Sequence, residues 1–278
     1  MNRITGKTVT LLLSAALGTM IFAGTVESPF EVGTWENFAK GAISHTFDDY
    51  PVSNTGQIVD KGQAAFDDKN IHMTIFVQTG TESNPNVKDW AKLKNAFAKG
   101  HEITSHTQTH NSSNSEFEKS KKMIVAGVPG EKCVSVAYPN CQQNGANTLN
   151  YYIAGRNCNG QVNGKTPGDF AQIGAVGVGS GAGGYTNVAS GINAIADQAV
   201  SKGGWAVCMH HGIGSDRHSW ATTNLDEMKK HLEYLDTNRD KIWAETFGNV
   251  ARYIKERDKA SLTVKSSTDN QITVSLTD

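Results

Sequence analysis

Between residues 41 and 257, short runs of β-branched and apolar residues alternate with longer stretches whose apolar residues recur at helical spacing. A strand that leads through a helix to another strand needs a crossover connection. That connection makes the strands parallel and puts the helices on the outside. Strand patterns lie at 41–47, 72–77, 101–105, 132–137, 171–178, 205–209 and 242–244. Helical patterns lie at 61–69, 87–99, 115–126, 188–202, 225–235 and 247–257. In 87–99, for example, Val87, Trp90, Leu93, Ala96 and Phe97 share a face, with Asn86 to cap the start and Gly100 to stop the end. The expected fold class is therefore α/β, a parallel sheet with covering helices, either open or closed into a barrel.

The two ends of the chain differ from this pattern. Arg3 and Lys7 precede the apolar run Val9–Ala23, which reads as a secretory signal peptide and is too short for a comfortable membrane span. At the other end, alternating residues on both sides of Thr268–Asn270 predict a β-hairpin. The expected organisation is a signal peptide over 1–23, one catalytic domain over 24–258 and a β-rich tail over 259–278. The expected location is secreted or periplasmic, with no membrane span after signal cleavage.

Composition narrows the function. Lys and Arg number 26 against 27 Asp and Glu, a formal net charge of −1, without the basic excess that nucleic acid or an anionic membrane surface would select. The 28 Gly exceed the usual ~7% and suit a chain with many tight turns. The GVGSGAGG run at 177–184 lacks the Lys-Ser/Thr ending of a phosphate-binding loop and reads as a flexible connection. Export would allow disulfides among Cys133, Cys141, Cys158 and Cys208, with three pairings open, and no CxxC pair offers a structural zinc motif.

Two clusters can carry chemistry. His106 and His110 stand four apart in a Ser/Thr-rich segment at the end of a strand pattern, and imidazole nitrogen is a good ligand for zinc. Asp48 and Asp49 end another strand, where one carboxylate can bind a metal and the other can act as a base. Both clusters lie at the carboxyl ends of strands, where parallel α/β folds place their sites. Together they make a His2Asp set with positions left open for water and substrate. A zinc protease is a poor fit because no HExxH helix is present.

The combination of TFDD (46–49), GHEITSHTQTH (100–110) and WAVCMHHGIG (205–214) resembles the NodB-type polysaccharide deacetylases, carbohydrate esterase family 4. The resemblance runs over about residues 41–257 and implies a distorted (β/α) barrel, here with a short C-terminal β-hairpin or partial β-module. It implies Asp48 as catalytic base and Asp49, His106 and His110 as ligands of a divalent metal, most often zinc. It implies His211, or its neighbour His210, as catalytic acid, and strand alternation lets only one of the two face the site. The substrate implied is an acetylated polysaccharide or oligosaccharide, an acetylated xylan or an N-acetylglucosamine polymer, and the protein is expected to be monomeric. Asn140 is the expected oxyanion donor through its backbone, and Tyr138 and Trp220 are the expected sugar-facing aromatics.

The chain departs from the family pattern at Tyr50, where the family has Gly before Pro51, in 171–184, where the family's Asp/Trp motif is not recognisable, and in 137–140. Ala137 stands where the family has an Arg that steadies the base, and Asn140 stands where it has a Tyr. That missing Arg motivates the alternative reading, a non-catalytic carbohydrate-binding protein on a deacetylase scaffold.

Overall fold

The computed structural model describes residues 8–12, 30–180, 185–214 and 219–277. In chain order the strands are β1 (Thr8–Leu12), β2 (Gly41–Tyr50), β3 (Thr74–Val77), β4 (Glu102–Ser105), β5 (Ser135–Ala137), β6 (Ala154–Arg156), β7 (Val176–Gly177), β8 (Trp205–His210), β9 (Ile213–Gly214), β10 (Thr223–Asn224), β11 (Ile242–Ala244), β12 (Ser261–Thr268) and β13 (Gln271–Thr277). The α-helices are α1 (Gln63–Asp68), α2 (Ala91–Ala98), α3 (Asn114–Gly127), α4 (Ala189–Lys202), α5 (Leu225–Thr237) and α6 (Phe247–Arg257).

The main sheet runs β6-β5-β4-β3-β2-β8-β7, with β11 also on β2, and every pairing in it is parallel. Its two edges approach through one segment. Ile173 bridges to Arg156 at the β6 edge, and Val176 pairs with Cys208 three residues later. The expected strand at 171–178 is therefore split between two neighbours, and only Val176–Gly177 forms a regular strand. This is the distorted (β/α) barrel that the resemblance implied. The tail forms the predicted hairpin, β12 antiparallel to β13, with β1 added along the free side of β13. The remainder of the expected signal peptide lies outside the described residues.

Strand alternation sorts the core into two layers. Ala42, Phe76, Ala137, Trp205, Val207 and Met209 fill the barrel interior together with Phe247. Ile43, Phe47, Ile75, Ile103, Val136 and Cys208 face outward onto Phe66, Leu93, Phe117, Ile192 and Leu232 of the helices. The interior positions are mostly small or aromatic and the outer ones mostly aliphatic, as a narrow barrel under a helical coat requires.

Helix starts follow side-chain chemistry more closely than periodicity. Ser113 accepts from Glu116 N and starts α3. Asn224 accepts from Asp226 N and Glu227 N and starts α5. The helix expected from residue 87 begins only at Ala91, whose N–H is taken by Asp89 Oδ1. Asn86 instead donates to the Gln78 carbonyl and ties down the loop after β3.

Candidate active site

Asp48 and Asp49 are neighbours in β2, and a regular strand would point them to opposite faces. The strand is not regular there. Its register on β3 shifts between Phe47 and Tyr50, and Asp49 has φ of 65°. This bulge turns both carboxylates into one pocket of about 440 Å³ at the carboxyl ends of the strands.

His106 directly follows β4, and its backbone N–H extends the ladder by donating to the Val77 carbonyl at 2.8 Å. Its Nδ1–H donates to the Ala137 carbonyl at 3.0 Å, which turns Nε2 toward Asp49 Oδ1 at 3.2 Å. His110 Nε2 lies 3.4 Å from the same oxygen. Glu116, in the first turn of α3, braces the loop between the two histidines by accepting from Gln108 N, Thr109 N and Thr109 Oγ1. The ligand atoms of Asp49, His106 and His110 all lie within 4.8 Å of one another.

Burial alone would raise the Asp49 pKa. Hydrogen bonds to His106 and His110 and the nearby imidazoles outweigh it and hold the carboxyl well below the ordinary carboxylate range. Burial pulls His106 down, but Asp48 and Asp49 outweigh it and raise its pKa. One carboxylate with two imidazoles, one of them oriented by a backbone carbonyl, is a donor set that suits a divalent metal. Asp48 Oδ1 is buried beside this set with no hydrogen-bond partner among the described residues.

Arg156 is the residue that sequence reasoning missed. It is fully buried on β6, and its Nη2 is hydrogen-bonded to Asp48 Oδ2. Its guanidinium also lies 5.5 Å from the centre of the Phe76 ring. Ala137 and Arg156 are direct partners in the β5–β6 register. The guanidinium absent from position 137 is thus supplied by the adjacent strand. The short Ala-Gly-Arg strand carries no β signal of its own, so no pattern announced it.

Of the two adjacent histidines, His211 lines the pocket, with Nε2 3.9 Å from Asp49 Oδ2. Burial lowers its pKa despite the opposing Asp48 and Asp49 charges. His210 points to the outer layer, stacked at 4.7 Å on Phe47, and is corrected here from candidate acid to a residue behind the sheet. Trp220, 49% exposed, packs its ring 4.4 Å from that of His211 and 5.9 Å from Tyr185. Tyr138 touches the pocket but is only 1% exposed, and its hydroxyl is taken by the Ala171 carbonyl and Thr148. It is a wall of the pocket, and its hydroxyl is not available to a sugar. Asn140 lines the rim with φ of 52°. Next to it Cys141 is disulfide-bonded to Cys158, while Cys133 and Cys208 are free and buried.

Two glycines of the Gly-rich segment have a packing reason. A Cβ at Gly177 would lie 2.1 Å from the Tyr185 ring, and one at Gly179 (φ 131°) would lie 1.9 Å from the Ala221 carbonyl oxygen. Both let the loop bearing Tyr185 close against the loop bearing Trp220. The rest of the run, 181–184, lies outside the described residues.

Residues 36–145 match the polysaccharide deacetylase family model. A Bacillus sp. gellan lyase is 27% identical over 275 residues, covering 89% of this chain but 11% of its own length. The chain therefore spans about a tenth of that relative. Among solved structures, a Mycobacterium smegmatis protein designated a polysaccharide deacetylase aligns with TM-score 0.58 and 13% identity over 87% of this chain and 99% of its own. A Pseudomonas aeruginosa PAO1 protein of the same designation aligns with TM-score 0.54 and 14% identity over 79% and 92%. At these identities the two structures speak for the fold.

Proposed function

We propose that this chain is a secreted, metal-dependent hydrolase that removes acetyl groups from a neutral glycan. The observation that carries the reading is the convergence of Asp48, held by Arg156, with the Asp49–His106–His110 set and His211 in one pocket. A divalent ion held by Asp49, His106 and His110, zinc in our reading, would polarise the acetyl carbonyl and acidify water.

The chain's own residues would do the rest. Arg156 occupies Asp48 Oδ2, so the unpartnered Oδ1 is the oxygen left to take the proton of the attacking water. The backbone N–H of Asn140 at the rim is the candidate donor to the oxyanion that develops. His211, which directly follows β8, would deliver a proton to the departing sugar oxygen or nitrogen. Trp220 orients the His211 ring and offers its exposed face to a sugar. Among the described residues, the pocket lining brings no side-chain charge beyond the metal set, Asp48 and His211, which is in keeping with a neutral substrate. The departures at Ala137 and Asn140 lead us to an O-acetylated hemicellulose ahead of an N-acetylglucosamine polymer. Arg156 removes the reason for the non-catalytic alternative, because the base is not left without its guanidinium.

The test is acetate release from acetylated xylan and from chitooligosaccharides, with and without chelator. Release that chelator abolishes and added zinc restores is expected. Asp49→Ala should lose both metal and activity. Asp48→Asn should keep the metal and lose about 10²–10⁴-fold in kcat. Metal-loaded protein that binds these glycans but releases no acetate would overturn the enzymatic reading.

A further inference from the structure

Behind the sheet, on the face away from the pocket, lies a second group of metal-ligand side chains that the proposed chemistry does not use. His45 on β2 and Cys208 on β8 are direct partners in the parallel register, and His210 stands two residues after Cys208 on the same face. All three are buried, and their ligand atoms lie within 4.8 Å of one another. We propose that His45 Nδ1, His210 Nε2 and Cys208 Sγ form a second, buried metal site for a zinc- or copper-like ion, between the sheet and its helical coat.

The hydrogen bonds around the group carry the argument. Asn193 Oδ1 lies 2.6 Å from His231 Nδ1 and only accepts, so that nitrogen carries the proton and His231 Nε2 carries a lone pair. His45 Nε2 lies 3.2 Å from His231 Nε2 and must donate to it. His45 Nδ1 is therefore left with a lone pair, and it faces His210 Nε2 at 3.0 Å. On its far side His210 Nδ1 lies 2.9 Å from Thr223 Oγ1, which can accept as well as donate. Both imidazoles thus have an outer nitrogen anchored by a hydrogen bond and an inner nitrogen aimed at a common point. That is how metal-binding histidines are held.

Loading the site needs little change. His210 moves its proton from Nε2 to Nδ1, Thr223 turns from donor to acceptor, and Cys208 releases one proton to solvent. Two imidazole nitrogens on one tetrahedral zinc stand about 3.3 Å apart, close to the separation here. The Cys208 sulfur makes no hydrogen bond among the described residues, so no contact has to be broken to engage it. A sulfur with two nitrogens selects zinc or copper over magnesium or calcium. Phe66 sits edge-on at 5.7 Å from His45, and Phe47 is stacked on His210, so aromatic rings wall the three donors on the side away from the pocket, and a water would complete a four-coordinate zinc. The role of the site is to pin β2 to β8, the strand whose next residue is His211, and it does not depend on the deacetylase reading.

The experiment is cobalt loading of the wild type, Asp49→Ala and Cys208→Ala during expression, followed by metal content and near-ultraviolet absorption. We expect two ions in the wild type. Asp49→Ala should keep one ion with a thiolate-to-cobalt charge-transfer band, and Cys208→Ala should keep one ion without the band. X-ray absorption of zinc-loaded Asp49→Ala should show sulfur at about 2.3 Å, a readout that holds even if Cys208→Ala does not fold. Asp49→Ala without an ion, or an ion with only nitrogen and oxygen neighbours, would overturn the proposal.

Discussion

Arg156 and Asp48 form an ion pair in which the Arg is fully buried and the Asp is 3% exposed. Removing one partner leaves the other charged in a medium that cannot solvate it. Arg156→Ala should therefore cost about 3–5 kcal/mol of stability, read from urea unfolding. It should also cost kcat, with metal content kept because Asp49, His106 and His110 do not touch Arg156. Arg156→Lys should recover part of the stability, since a lysine replaces the charge but not the planar fork. Retention of full kcat in Arg156→Ala would mean that the base needs no guanidinium. The roles proposed for Asp48, Asp49, His106 and His110 were legible from short motifs, because ligand and base types are few and their spacing is local. Arg156 was not. Its partner lies 108 residues earlier, and only strand pairing brings the two together.

The loops that leave β5 and β6 form one side of the pocket, and the Cys141–Cys158 bridge links them across a separation of 17 residues. A crosslink of that span contributes about 3 kcal/mol by limiting the unfolded chain. Reduction should lower the melting temperature, measured by calorimetry with and without dithiol, and should lower kcat more than metal content, because Asn140 and Arg156 flank the two cysteines. An unchanged melting temperature on complete reduction would count against this. On the opposite side, Gly179→Ala places a Cβ against the Ala221 carbonyl in a backbone conformation that alanine rarely adopts. It should displace the Trp220 loop and raise KM for a glycan with little effect on metal content. A KM equal to that of the wild type would show that the loop does not shape the sugar site. Helices such as Phe247–Arg257 were read to the residue, because a strong apolar stripe marks its own limits. The three-residue strand Ala154–Arg156 was not, since its conformation comes from its neighbours. A Cβ at Gly155 would lie 2.1 Å from the Tyr138 hydroxyl, so even the glycine there answers to a distant side chain.

At the scale of the whole molecule, the end of the barrel opposite the pocket carries a pH dependence. Glu102 is buried at the start of β4, and burial first, then the charge of Glu131, raises its pKa to about 7. Thr74 Oγ1, Ser135 Oγ and Gly248 N are hydrogen-bonded to it, so it joins β3, β5 and the start of α6. The folded protein holds this proton up to about pH 7, whereas the unfolded chain releases it near the ordinary glutamate value of 4.5. Between those values the folded state binds more protons, so this group's contribution to stability falls as pH rises. Urea unfolding midpoints should show a larger loss from pH 5 to pH 8 in the wild type than in Glu102→Gln, on the order of 1–3 kcal/mol. Equal losses would contradict the assignment. The amino-acid sequence by itself determined the α/β class, the tail hairpin and the motifs from which the metal set was read, because periodicity, turn chemistry and short motifs act over a few residues. The tertiary structure decided which histidine faces the pocket, which arginine holds Asp48, which cysteines pair and that Tyr138 is a wall. Those outcomes depend on strand register and on a bulge at Asp49, and both are set by contacts between residues far apart in the chain.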